Sequence, residues 1–186
     1  MSERRLVLLA MDFQQDIVDR AGGGAALAAV SRAIEAARAA AIPVMYVRVA
    51  FRPGYPEAAP ANPVFGAIHR SGDAMTQDHP ATQLHAALPV RPGEPVILKR
   101  RVSAFAGSDL DVLLRAAGAT DLVLAGISTS GVVLSTVRQA ADLDYALTVL
   151  SDACADRDEE VHRVLTGKIF PRQAAVATVD EWIKAR

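Results

Sequence analysis

Apolar residues occur along the chain in short continuous runs that are separated by segments with helical spacing. The first run, Leu6 to Met11, contains no polar residue and is followed at once by Asp12. Continuous runs of this length are typical of strands that are buried on both faces, as in parallel sheets. By the same pattern we predict further strands at residues 44–47, 95–98, 122–125, 145–150 and 174–178.

Between these runs, apolar positions recur with a period near 3.6 and charged positions lie on the opposite face, which predicts helices. The predicted helices lie at 25–40, 109–117, 130–143 and 159–167. Ser108 is a suitable N-cap for the second helix and Gly118 a suitable end. Alternating strands and helices predict an α/β fold, a three-layer α/β/α arrangement around a doubly wound, parallel six-stranded sheet.

The periodic pattern is lost between about residues 52 and 92, which hold seven of the ten prolines. We predict one domain over 1–186 with this Pro-rich segment as an insertion, and a short helix at 83–88 within it. Loops of this length inside a compact domain usually cover a site, bind a ligand or mediate assembly. The sequence therefore assigns the segment a functional or assembly role without choosing between them.

Composition limits the classes of partner. The net charge is -1 and the chain has no basic run, so neither nucleic acid nor an anionic membrane is expected as a partner. The single cysteine, Cys154, excludes an internal disulfide and a cysteine-based zinc site, which favours a cytoplasmic location. The first apolar run is too short to span a membrane. The four histidines have no paired ligand spacing, and we expect no metal and no cofactor.

Chemically useful residues follow several of the predicted strands. Asp12, Lys99, the turn from Gly126 to Gly131, and Asp152 each stand at a carboxyl end, where open α/β sheets bind ligands. Alternatively, Asp12 caps a turn, Lys99 extends to solvent, and Thr129 or Ser130 caps the next helix.

These pieces, in this order, resemble the isochorismatase-like hydrolase superfamily from Leu6 to about Thr178. The matching segments are Asp12-Phe13-Gln14, Lys99, Ala125 to Thr129, Ser135 to Ala140 with Asp144-Tyr145, and Ser151 to Cys154. In the amidases of this family, an Asp, a Lys and a Cys form a catalytic triad. The resemblance implies that Asp12 and Lys99 are catalytic, but Val132 stands where the nucleophilic cysteine is expected.

Valine cannot form a covalent acyl intermediate. Cys154 is expected to be a buried, inert thiol, and none of the hydroxyls near the turn, which are those of Ser128, Thr129, Ser130 and Ser135, has an evident histidine partner. The isochorismatase branch of the family also lacks the cysteine and cleaves an enol ether, with the Asp as general acid. The resemblance therefore implies that activity without a thiol is possible.

The resemblance also implies a non-proline cis peptide at Ile127–Ser128 and a site for substrate or oxyanion formed by Gln14, Ser128, Thr129 and Val132. The backbone N–H groups of Ser128 and Val132 are expected to face the ligand. Four arginines near the predicted site edge either pair with a substrate carboxylate or serve solvation and subunit contacts: Arg48, Arg52, Arg100 and Arg101. Related proteins often self-associate, so a homo-oligomer, dimer or tetramer, is expected. Three functions remain: a non-covalent hydrolase of a small molecule, a binding or regulatory protein without activity, and an amidase with a relocated nucleophile.

Overall fold

A computed structural model describes residues 4–186 and contains a six-stranded parallel sheet. The strands are β1 (Leu6–Met11), β2 (Val44–Val49), β3 (Val96–Lys99), β4 (Asp121–Ile127), β5 (Ala146–Ala155) and β6 (Ala175–Ala177). Their order across the sheet is β3-β2-β1-β4-β5-β6, and every neighbouring pair is parallel. The predicted fold class is confirmed. The chain order reverses between β1 and β4, which makes their carboxyl ends the expected ligand crevice.

Helices cover both faces of the sheet. They are α1 (Gln15–Arg20), α2 (Gly24–Ala39), α3 (Leu110–Ala116), α4 (Leu134–Asp142), α5 (Glu159–Val164) and α6 (Val179–Lys184). Side chains of β1 alternate between two cores, because successive residues of a strand point to opposite faces. Leu9 packs in the core that includes α3 and α4, whereas Leu8 packs in the core that includes α2 and α6. In residues 4–186, no helix combines the length and apolar character needed to cross a membrane.

Several predicted boundaries differ from the structure. β5 continues to Ala155 after a register shift opposite Leu124 and Gly126, so Asp152 lies within this strand and not beyond it. Its Oδ1 accepts a hydrogen bond from the N–H of Val179 at 2.8 Å, which fixes the start of α6. The predicted helix at 83–88 is wrong, since the Pro-rich segment instead contains short 3₁₀ turns at Gly66–Arg70 and Pro80–Thr82. The predicted helix at 130–143 begins with a π-helical turn, Thr129–Val133, before α4.

The Pro-rich segment is folded against the carboxyl ends of β2 and β3. It has a small core of its own around Phe51, Tyr55 and Ala58. The Arg48 guanidinium on β2 donates hydrogen bonds to the carbonyls of Gln77 and Thr82, at 3.0 and 3.2 Å, and thereby holds the far end of the segment. The segment therefore forms a wall next to the predicted ligand crevice.

Candidate active site

Asp12 and Lys99 form a buried ion pair, with Lys99 Nζ 2.9 Å from Asp12 Oδ2. Asp12 directly follows β1 and Lys99 ends β3, so the lysine side chain reaches across the end of β2. Both residues are at most 5% exposed. The Asp12 backbone is left-handed, with φ of 57°, a conformation that is uncommon outside glycine and often found at functional sites. Lys99 Nζ also donates to the carbonyl of Arg101 at 3.0 Å.

The second carboxylate oxygen of Asp12, Oδ1, is buried and has no hydrogen-bond partner within residues 4–186. A buried carboxylate oxygen without a partner is costly, and such an atom usually marks a place for a ligand or a proton. Burial raises the pKa of Asp12, while the charge and hydrogen bond of Lys99, and to a smaller extent the backbone N–H of Val49, act in the opposite direction. This arrangement favours a carboxyl group that exchanges a proton.

The turn after β4 lies beside this pair. It contains the cis peptide Ile127–Ser128 that the sequence resemblance implied. The N–H groups of Gly131 and Val133 both donate to the carbonyl of Ser128, at 3.2 and 3.3 Å. A Cβ atom at Gly131 would lie only 2.6 Å from Ser128 Oγ, so a larger residue there would displace the Ser128 hydroxyl. The amides of Gly131 and Val133 are thus used within the turn, and those of Ser128 and Val132 remain the predicted ligand donors.

Ser130 and Thr129 are held by residues of the connection after β5 and of α5. The N–H of Ser130 donates to Asp156 Oδ2 at 2.7 Å. Thr129 Oγ1 and His162 Nδ1 share a hydrogen bond of 2.8 Å. The expectation that none of the nearby hydroxyls has a histidine partner is therefore wrong for Thr129. Because the two residues are 33 positions apart, no local sequence signal indicated their contact.

Asp12, Lys99, Ser128 and Val132 line one cavity of about 500 Å³. Much of its wall is apolar and comes from the end of β2, the segment after it, the start of α1 and the loop after β3. These apolar residues are Ile17, Val49, Phe51, Val64, Phe65, Ile68, Met75 and Val102. Cavities of this size with an apolar wall and a few convergent polar groups are typical of small-molecule sites. Four of the six predicted site residues therefore lie together in a suitable cavity.

Gln14 and Thr129, the other two, are not among the residues that line this cavity. The Gln14 side chain is buried and binds backbone atoms: it donates to the carbonyls of Val49 and Thr82 at 2.9 and 2.8 Å, and accepts from the N–H of Val49 at 2.7 Å. Thr129 is fully buried and directed to His162. Both side chains support the walls of the cavity, and their direct contact with a substrate stays a prediction.

Val132 is 2% exposed, and its alkyl side chain contributes both to the cavity wall and to the core beneath it. Cys154 does not line the cavity, and burial raises the pKa of its thiol to about 12. A thiol with this pKa is protonated at neutral pH and a poor nucleophile. The lining of this cavity therefore offers no thiol. Beside the Asp12 carboxyl group, the Lys99 ammonium group and backbone amides, it contains the polar side chains of Asp16, Arg20, Arg101, Ser128, Ser130, Asp156 and Arg157.

Of the four arginines near the predicted edge, only Arg101 lines the cavity. Its guanidinium donates to the carbonyls of Arg100 and Glu57, at 2.6 and 2.8 Å, and lies 5.1 Å from the centre of the Phe65 ring. Arg52 and Arg100 both bind the Glu57 carboxylate. These contacts stabilise the Pro-rich segment. Within residues 4–186, no cluster of three or more His, Cys, Asp or Glu side chains is arranged to hold a metal ion.

Comparison with known proteins places this geometry in a family. The model of the isochorismatase domain matches residues 6–181. An uncharacterised isochorismatase family protein of Escherichia coli O157:H7, YecD, is 34% identical over all of this chain and 98% of its own length. The ureidoacrylate amidohydrolase RutB of Methylobacterium radiotolerans is 37% identical over 81% of the chain and 63% of its own, greater length. The structure of an isochorismatase family protein from Burkholderia thailandensis, 30% identical, superposes with a TM-score of 0.86 over 100% of this chain and 97% of that one.

Proposed function

The chain belongs to the isochorismatase family, and we propose that it hydrolyses a small molecule by acid–base chemistry at Asp12, without a covalent intermediate. The observation that carries the proposal is the unpartnered Oδ1 of Asp12, which is buried at a cavity where Val132 takes the place of a nucleophile. A raised carboxyl pKa suits a group that both donates and accepts a proton during a reaction. Lys99 fixes the carboxyl group through its other oxygen.

For an enol ether, neutral Asp12 donates its proton to the terminal vinyl carbon, which becomes a methyl group. The electron pair of the C=C bond forms the new C–H bond, and the adjacent carbon becomes an oxocarbenium ion. Water adds to that carbon and returns one proton to the Asp12 carboxylate. The resulting hemiketal separates into a ketone and an alcohol. No side chain becomes covalently attached, so the alkyl group of Val132 does not prevent this reaction.

Hydrolysis of a C–N bond is the second candidate, because a curated relative with 37% identity is named an amidohydrolase. Here ionised Asp12 accepts a proton from water as the water attacks the carbonyl carbon. Amides of Ser128 and Val132 stabilise the oxyanion, and the proton passes to the departing nitrogen. Both candidates use the same carboxyl group, in opposite protonation states.

A panel of enol ethers and of ureido and simple amides tests both candidates with one pair of variants. Asp12→Asn keeps the size of the side chain and removes its proton chemistry, so turnover falls by about 10²–10⁴-fold. Asp142→Asn is the matched control, since Asp142 is an exposed residue at the end of α4. Isothermal titration with the same compounds shows whether binding survives in Asp12→Asn.

Binding that persists in both variants, without turnover on any member of the panel, favours a binding protein without catalytic activity. Turnover that continues undiminished in Asp12→Asn contradicts both acid–base candidates and favours a relocated nucleophile. Mass spectrometry of the protein during turnover distinguishes a relocated nucleophile from acid–base catalysis. An acyl-enzyme intermediate increases the mass of the protein by that of the acyl group, whereas acid–base catalysis leaves the mass unchanged.

A further inference from the structure

The turn that contributes Ser128 and Val132 to the cavity is held through the residue between them. Thr129 is fully buried, and the hydrogen bond to His162 Nδ1 is the one side-chain bond of its hydroxyl among the contacts within residues 4–186. A buried hydroxyl that loses its partner destabilises the folded state, so the turn is expected to move if this bond is lost. Nothing in the proposed chemistry uses His162 directly.

We propose that His162 is a positioning residue of the active site. Its Nδ1 holds the Thr129 hydroxyl, and through the turn it sets where residue 132 and the Ser128 amide stand relative to Asp12 and Lys99. This inference deepens the proposed function, since it concerns the same cavity. Asp156 assists from the same side, because its carboxylate accepts the Ser130 N–H at 2.7 Å.

The surroundings of His162 allow this role to be separated from general packing. The imidazole is half-buried and lines a second cavity of about 490 Å³ outside the turn, together with Asp156 and Glu159. Water from that cavity can fill the space left by a smaller side chain, so truncation at His162 leaves the main cores intact. A role in positioning, in contrast to packing, depends on one ring atom, Nδ1.

Two substitutions of His162 separate the role of Nδ1 from that of Nε2. The amide of Asn places a polar atom near the position of Nδ1, whereas the longer Gln places one nearer to Nε2. His162→Asn is therefore expected to preserve the bond to Thr129, while His162→Gln and His162→Ala break it. Thr129→Val removes the other partner at nearly constant volume. Since both substitutions remove the same bond, His162→Ala and Thr129→Val should be non-additive.

A thiol introduced by Val132→Cys reports the position of the turn and needs no substrate. Its apparent pKa and its rate of alkylation by iodoacetamide depend on the nearby Lys99 ammonium and turn amides. In this background, His162→Ala or Thr129→Val is expected to move the apparent pKa toward that of an ordinary thiol and to slow alkylation at pH 7 by at least about fivefold. His162→Asn restores the rate to within about twofold, and peptide mapping separates this thiol from Cys154.

His85→Ala is the matched control, because His85 Nδ1 also accepts one hydrogen bond, from the N–H of Ala87 at 3.1 Å, and does not line the cavity. Equal alkylation profiles for His162→Ala and His85→Ala overturn the proposal, as does a folded His162→Asn variant that behaves like His162→Ala. Hydrogen exchange of the amides of residues 128–132 gives a second readout without Val132→Cys. There, His162→Ala speeds exchange by at least about tenfold and His162→Asn does not.

The two proposals fail separately. A turn that moves with His162, in a protein that shows no turnover dependent on Asp12, refutes the proposed function and leaves His162 as the residue that positions the turn. The opposite result refutes the positioning role alone: turnover depends on Asp12, but neither the reactivity of the introduced thiol nor the amide hydrogen exchange of the turn changes when His162 is substituted.

Discussion

Lys99 Nζ lies 2.9 Å from Asp12 Oδ2 although the two residues belong to strands that are not neighbours in the sheet. β2 separates β1 from β3, and the lysine side chain spans the end of β2 to reach the carboxylate. The pair fixes one oxygen of Asp12 and leaves the other free at the cavity. Consequences for stability and for activity can therefore be tested on the same two residues.

Breaking this pair from one side is expected to cost more stability than removing it whole. Asp12→Asn leaves the buried Lys99 ammonium without its counter-charge, and the free energy of unfolding should fall by about 3–5 kcal/mol. In the double variant with Lys99→Met, neither charge is buried, and we expect stability much closer to that of the unchanged chain. Urea unfolding of the four members of the cycle measures the coupling. Additive effects of the two substitutions would show that the pair is not coupled.

Gln14 is expected to act on stability, since its amide makes three hydrogen bonds to the backbone. Gln14→Leu leaves the N–H of Val49 without its acceptor and removes one donor each from the carbonyls of Val49 and Thr82, of which the latter keeps its bond from Arg48. We expect the free energy of unfolding to fall by about 2–3 kcal/mol. Gln83→Leu is the control, because Gln83 is exposed and its amide also binds backbone carbonyls of the Pro-rich segment; its effect should be below about 0.5 kcal/mol.

Cys154 is expected to resist modification in the folded protein. Burial raises the pKa of its thiol to about 12, so the reactive thiolate is scarce at pH 8. Iodoacetamide should leave the intact mass unchanged over a time in which the urea-unfolded chain becomes fully alkylated. Rapid alkylation of the native protein, with loss of activity, would instead support a hydrolase that uses this thiol.

The sequence predicted the sheet well because its strands are buried on both faces and their apolar runs are continuous. It predicted less of what depends on distant contacts. The helices α1 and α6 have six residues each, too few for a periodic pattern to stand out. The apolar wall from Phe51 to Met75 arises from packing within a segment that has no regular period.

The candidate site shows the same division. Asp12, Lys99 and the turn after β4 were predicted because strand ends meet at one edge of a parallel sheet. Gln14 was predicted as a ligand contact by resemblance, yet its backbone hydrogen bonds show why a buried amide can be required for the shape of the site. Residue types at given positions do not distinguish these two roles, which depend on contacts with residues 35 and 68 positions away.

The ion pair between Arg38 and Glu94 predicts how stability depends on pH. Arg38 Nε and Nη2 donate to the two oxygens of Glu94, each at 2.7 Å, and join α2 to the loop before β3. The hydrogen bonds from Arg38 lower the pKa of Glu94 below its usual value. A lowered pKa in the folded state contributes stability that is present above the unfolded pKa, about 4.3, and is lost as the pH falls through the folded value.

Glu94→Gln should therefore reduce the free energy of unfolding by about 1.5–3 kcal/mol at pH 7. The difference from the unchanged chain should shrink steadily below about pH 4, where Glu94 itself becomes protonated. Urea unfolding at a series of pH values measures it. Glu160→Gln is the control, because Glu160 is an exposed residue whose pair with Arg163 is 3.6 Å long. A difference for Glu94→Gln that stays constant with pH would exclude the charge as its cause.

The pH dependence of kcat/KM distinguishes the two reactions proposed for Asp12. Burial raises the pKa of this carboxyl group, so its neutral form persists to higher pH than in an exposed aspartate. Enol-ether cleavage needs the neutral acid, and kcat/KM should be constant at low pH and fall about tenfold per pH unit above the pKa of Asp12. Amide hydrolysis needs the ionised base, and kcat/KM should rise about tenfold per pH unit until that pKa is passed.

Asp12→Glu provides the comparison within this experiment, because it keeps a carboxyl group but moves it along the cavity. If Asp12 carries the proton, this variant has lower activity. The sloping part of its plot of kcat/KM against pH keeps the same sign of slope but is displaced along the pH axis. If the sloping part keeps its position in Asp12→Glu, it reports the pKa of another group, and Asp12 would then not be the acid or base. Because the sign of the slope depends only on the protonation state that reacts, a single active substrate is sufficient to decide between the two reactions.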